Sequence, residues 1–129
     1  MLNDTEQADY EALLQFLYLA PIGVAQIAPD GEIAMANPVC AQILMPLVRD
    51  GALDNLYVAL ENVAPDLRHR VAAFTPAQGH VCDGLQLRID DLDAGGTRTL
   101  SLSVIKVDAQ RLMAVLSDVT DAVRREQEL

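Results

Sequence analysis

The side chains able to do chemistry in this sequence are few and mostly scattered. Cys40 and Cys82 are far apart and form no Cys-x-x-Cys pair, so neither a zinc site nor a disulfide framework is indicated. Both are expected as buried free thiols. Asp90, Asp91 and Asp93 cluster, but a calcium loop needs oxygen ligands at alternate positions and a distal Glu, and Ala94-Gly95-Gly96-Thr97 follows instead. They read as solvated turn acids, and no metal site is assigned. There is no Gly-rich phosphate loop, no Gly-x-Ser-x-Gly elbow and no His-Glu-x-x-His helix. One short string has a mechanical use. In Asp118-Val119-Thr120 the two oxygen-bearing side chains can accept backbone N–H groups where a strand passes into a helix, which sets the angle at which that helix leaves.

The elements that must position these residues belong to one unit. A chain of 129 residues buries one core and has no room for a catalytic domain plus a regulatory one. With 51% hydrophobic and 22% charged residues it has the balance of a folded globule. A formal charge of -10 repels phosphate backbones and anionic bilayers, which argues against nucleic-acid and membrane-surface partners. No run nears the roughly 18 apolar residues of a spanning helix, and no basic segment leads into an apolar stretch at the N-terminus. A cytoplasmic location without membrane insertion is the expectation.

Along the chain, Tyr10, Leu13, Leu14 and Leu17 recur at helical spacing, with Asp4 as the expected N-cap and Pro21 as the stop. Phe16 and Tyr18 fall outside that stripe, more apolar surface than one contact face uses, and are candidates for a partner chain. Ile22–Ile27, the turn Pro29-Asp30-Gly31-Glu32 and Ile33–Ala36 predict a β-hairpin. Asn37-Pro38 ends it and opens a helix, which Pro46 must end or kink. At about 100° per residue, Leu56, Leu60, Val63, Leu67, Val71 and Phe74 share one helical face. Pro65 predicts a break near Asn62 to Ala64, with a second helix from Pro65-Asp66. Leu85-Leu87-Ile89, Leu100-Leu102-Val104 and Leu112-Ala114-Leu116 then alternate at period two, three strands of an antiparallel meander. A polar helix capped at Thr120 closes the sequence.

Helix, two strands, short helices, three strands and an exiting helix resembles the layout of the PAS sensory domain. Ala20-Pro21-Ile22-Gly23-Val24-Ala25 before Pro29-Asp30-Gly31-Glu32-Ile33 and Ala36-Asn37-Pro38 is similar to the opening of many PAS domains, and Asp118-Val119-Thr120 resembles the Asp-Ile-Thr signature that closes their last strand. The resemblance covers roughly residues 8 to 129. It implies an α+β fold in which a five-stranded antiparallel sheet carries helices on one face. Residues 1–19 would then be an amphipathic flanking helix, 20–118 the PAS-like core and 119–129 the start of a signalling helix. Asp118 and Thr120 would be the relay. It also implies a homodimer through the terminal helices and an effector, such as a histidine kinase or nucleotide cyclase, C-terminal to a sensory domain without enzymatic activity of its own. A chain ending inside its output helix is the sensing end of a longer protein on this reading. The dimer seam is marked only by Ala122 and Leu129, one heptad apart, with Val119 and Val123 nearby.

The resemblance raises flavin, haem or a small metabolite as ligand. The Gly-x-Asn-Cys-Arg-Phe-Leu string of the light-sensing members is missing, and Cys40 follows the helix-opening Asn37, which argues against a flavin adduct. His69 has the position from which haem-binding members supply a ligand, but it lies between Arg68 and Arg70, opposite the apolar stripe. Val24, Gln26, Phe74, His80 and Leu102 are the candidates for lining a metabolite cavity, and a packed core without ligand is the other possibility. A rival reading is a self-contained, cone-shaped α+β enzyme or small-molecule carrier. Such an enzyme would need a buried acid beside a Tyr or a second acid, yet Tyr10, Tyr18 and Tyr57 fall on helices or their approaches and no strand carries a lone inward acid.

Overall fold

The computed structural model describes residues 3–19, 22–48, 51–91 and 96–128. Ala20, Pro21, Asp93 and Leu129, and the side chains of Tyr10, Leu13, Leu14, Phe16, Leu17, Tyr18 and Asp91, lie outside the described residues, and with them the expectations set on them above. Helix α1 (Asp4–Leu19) comes first, then β1 (Gly23–Ile27) and β2 (Ile33–Ala36). Helix α2 (Pro38–Leu44), α3 (Leu56–Ala59) and α4 (Leu67–Ala73) follow, then β3 (Gly79–Asp91), β4 (Gly96–Asp108), β5 (Arg111–Asp118) and α5 (Thr120–Glu128). The five strands form one antiparallel sheet in the order β2-β1-β5-β4-β3. Among the described residues, no helix is long and apolar enough to cross a membrane.

Local chemistry accounts for most boundaries. At the start of α1 the cap is Asn3 rather than the predicted Asp4. The Asn3 Oδ1 accepts the Glu6 amide at 2.7 Å while the Glu6 carboxylate takes the Asn3 amide at 3.4 Å, a reciprocal box that uses a residue one position earlier. Asn37 caps α2 and Pro38 occupies its first position, as predicted. Pro46 does end that helix, since the chain tightens into a 3-10 turn over Met45–Leu47. The predicted long face from Leu56 to Phe74 is real in its burial, with Leu56, Leu60 and Leu67 closed to solvent. The first helix is a single turn, however. Its cap, Asn55, accepts the amides of Tyr57 and Val58, and the chain leaves helical geometry at Leu60, ahead of the expected break.

One core lies between the sheet and α2, α3 and α4. Ala25 and Ile27 of β1, Leu100, Leu102 and Val104 of β4 and Leu112, Ala114 and Leu116 of β5 pack there with Cys40, Leu44, Leu56, Leu60 and Leu67. Each fully buried Leu or Ile contributes about 1.5–3 kcal/mol, whereas the three ion pairs of the described residues all touch water and are worth about 0–1 kcal/mol apiece. Apolar burial therefore holds the layers together. The phase of β1 differs from expectation: Gly23, Ala25 and Ile27 face the core, so Val24 and Gln26 point to the opposite face of the sheet. The reason is close packing. A Cβ on Gly23 would stand 2.9 Å from the Cα of Cys40, so α2 can cross β1 only over its smallest residues.

Candidate functional site

The corner where β5 passes into α5 brings the predicted relay residues together. Asp118 Oδ1 accepts the Thr120 amide at 3.0 Å and also the Thr120 hydroxyl proton. With its proton committed to Asp118, the Thr120 hydroxyl oxygen accepts the Thr99 amide of β4 at 3.0 Å. The Val119 amide donates to the Thr99 carbonyl at 2.9 Å, and Arg98 places Nε and Nη2 at 3.3 and 3.2 Å from Asp118 Oδ2. Two strands and one helix thus share a single polar joint. Thr99 is the one buried polar residue among those described, and the start of α5 covers it.

Partial burial pushes the Asp118 carboxyl up, but the bonds from the Thr120 hydroxyl and amide and from Arg98 outweigh it and hold the group below the ordinary carboxylate value. A depressed carboxyl stabilises the joint fully above the unfolded-state value of about 3.9 and loses that contribution as pH falls through the folded value. Acidification below the ordinary carboxylate range should therefore release α5 before the β-core melts. Amide exchange of Val123 against Ala114 across an acid titration measures this. Exchange that follows the same pH curve in Asp118→Asn as in the wild type would refute the assignment to Asp118.

The proposed cavity residues do not converge. Leu102 is fully buried in the core and Phe74 is half-buried, with its ring under Lys106 at 5.9 Å. Val24 and Gln26 lie on the far side of the sheet, and His80 is exposed near the start of β3, opposite Ile105. His80 loses the core because the strand is irregular there, with register shifts between His80 and Cys82 and again between Cys82 and Leu85. His69 is exposed as its helical phase predicts. Its neighbours are occupied elsewhere: Arg68 stacks on Tyr57 and Arg70 pairs with Asp66. Cys40 and Cys82 are both buried and free. Burial pushes the Cys40 thiol up to about 11, and it raises Cys82 despite a bond to backbone. Among the described residues no three His, Cys, Asp or Glu side chains gather as metal ligands.

Two residues that hold the joint together, and one that anchors the hairpin elsewhere in the domain, carry no obvious signal. Arg98 and Thr99 meet Asp118 and Thr120 only through the β4–β5 register, in which Leu100 stands opposite Asp118. A cation at the end of the inward row Arg98-Leu100-Leu102-Val104 is the trace that could have marked it. Asn55 joins the hairpin to α3, its side-chain amide donating to the Asp30 carbonyl at 3.0 Å.

No protein-family model and no curated protein matches the sequence. Solved structures do. The PAS domain of an HTR-like protein from Haloarcula marismortui superposes with a TM-score of 0.55 over 87% of this chain and 98% of that one, at 13% identity. The chain has the PAS fold. A domain of a sensory box sensor histidine kinase/response regulator from Geobacter sulfurreducens is similar too, with a TM-score of 0.54 over 90% of this chain and 97% of that one, at 16% identity. Within the PAS fold, the joint around Asp118 sits where the sheet hands over to the exiting helix, and Asn37 opens the first core helix, the two places where the sequence resembles PAS domains.

Proposed function

We propose that this chain is a sensory and dimerisation domain that passes a conformational signal through α5 to an effector such as a histidine kinase or nucleotide cyclase. In this reading residues 1–19 flank the domain, 20–118 are its sensing core and 119–129 begin the output helix. The domain pairs with a second copy through its terminal helices, works in the cytoplasm and catalyses nothing itself. The observation that carries the reading is the joint. Asp118 and Thr120 bind the helix start to β4 through Thr99 and Arg98, so a shift of β4 moves the first turn of α5 rather than being absorbed by a loose linker. No described residue of α5 is fully buried, and the side turned away from the sheet, with Asp121, Ala122 and Arg125 exposed, is available to a partner helix.

In this reading the core takes a small metabolite or no ligand. Among the described residues the core between sheet and helices offers two thiols and Tyr57, whose hydroxyl already donates to the Pro29 carbonyl at 2.9 Å. Haem finds no imidazole there, because His69 and His80 are both exposed. The enzyme reading needs an inward carboxylate as base, and the described residues bury no Asp or Glu. Asp118→Ala in the full-length protein should leave the sensory domain folded by circular dichroism and uncouple effector output from input. Regulation that survives the substitution unchanged would count decisively against the relay.

A further inference from the structure

We propose a binding site, for a small oxyanion carrying two acidic groups, in the cleft between α5 and the sheet face opposite the core. The cleft holds about 400 Å³. Its strand wall follows from register: Arg88 stands opposite Thr99, and Gln86 lies two residues from Arg88 on the same face. Its helix wall follows from helical spacing, since Thr120, Val123, Arg124 and Gln127 recur three or four residues apart and so share one side of α5. Apart from Val123, the side chains that line the opening are therefore amides, hydroxyls and two guanidinium groups.

The guanidinium groups decide the ligand. Arg70, Arg98 and Arg111 each hold an Asp, and Arg68 stacks on Tyr57. Arg88 and Arg124 have no ion pair or hydrogen bond among the described residues, although the protein carries a charge of -10 and has acids to spare. Asp90, two residues from Arg88 along β3, accepts the Thr97 hydroxyl proton at 3.0 Å. Arg124 also approaches the backbone closely, its Nη2 standing 3.4 Å from the place a Cβ on Gly96 would occupy. Two free planar donors on opposite walls, backed by Gln86 and Gln127, match the oxygens of carboxylate or phosphate groups. A small cleft selects a compact dianion over a polyanionic chain, which the net charge repels.

One wall belongs to the sheet and the other to α5, so a bound dianion bridges the two and holds the helix down. The binding itself is independent of the relay reading, and only its effect on output rests on it. Inorganic phosphate and, separately, succinate titrated into the 15N-labelled chain at constant ionic strength should give saturable shifts centred on Thr97, Thr99 and Val123, with a Kd in about the millimolar range or tighter. Saturation by one anion alone identifies which acid group is recognised. Arg88→Gln and Arg124→Gln should each weaken binding about tenfold. Arg125→Gln, an exposed residue outside the cleft, should change it less than about twofold. Amides of α5 should exchange more slowly in the saturated protein. The proposal is overturned if neither anion saturates, if all three variants respond alike, or if binding leaves α5 exchange unaltered. Such a failure would not touch the Asp118→Ala result, and an uncoupling failure there would leave anion binding intact.

Discussion

Gly31→Ala should lower the unfolding free energy by about 2–4 kcal/mol, the larger of two effects expected from the hairpin and its anchors. Gly31 has φ of +91°, and a Cβ there would stand 2.5 Å from Cδ2 of Tyr57 and 2.6 Å from Oδ1 of Asn55. Neither neighbour can retreat cheaply. Tyr57 is buried, its hydroxyl tied to Pro29 and its own ionisation pushed up to about 12 by that burial, while Asn55 holds the amides of Tyr57 and Val58. The backbone of Gly31 is engaged as well, accepting the Leu56 amide at 2.8 Å. Gly51 provides the comparison, because its φ is +75° yet a Cβ there would meet nothing within 4 Å. Gly51→Ala should therefore cost only the backbone term, about 1 kcal/mol. Urea unfolding of both variants separates steric from conformational cost, and equal losses would disprove the contact argument.

Asn37→Ala should destabilise the domain by about 2–3 kcal/mol. Asn37 Oδ1 accepts the amides of Val24 and Cys40, each at 2.9 Å, and its side-chain amide donates to the Ile22 carbonyl at 2.8 Å. One side chain thus caps α2 and also pins that helix to β1, where Gly23 permits the close crossing. Truncation leaves partly buried backbone donors without partners. Asn37→Asp retains the acceptor but turns a carboxylate toward the Ile22 carbonyl, so it should recover only part of the loss. Chemical denaturation of the two variants checks this. An alanine variant as stable as the wild type would show that water replaces the side chain at no cost.

Both effects arise at residues whose local role is legible and whose tertiary role is not. Asn37-Pro38 announces a helix start in any context, and Asp30-Gly31 announces a turn. That the Gly31 turn presses against Tyr57, or that Asn37 reaches the other side of β1, depends on which elements are brought together. The corner behaves similarly. Asp118 and Thr120 are visible as capping residues, while Arg98 and Thr99 lie some twenty positions away and meet them only once β4 and β5 pair. The cavity candidates fail for a related reason. Alternation in β1 reveals two faces without saying which is inward, and the bulky Val24 suggests the core face where close packing by α2 demands Gly23 and Ala25 instead.

Element types, their order, the breaks at Pro46 and before α4, the free thiols and the exposed His69 were all determined by the sequence alone, because periodicity, caps and proline act over a few residues. The strand order, with β1 beside β5, the phase of β1, the four-residue joint around Asp118 and the arginine-lined cleft under α5 were decided by tertiary structure. Each depends on contacts between residues distant in the chain, and such contacts are selected by the burial of a shared core rather than by any local preference.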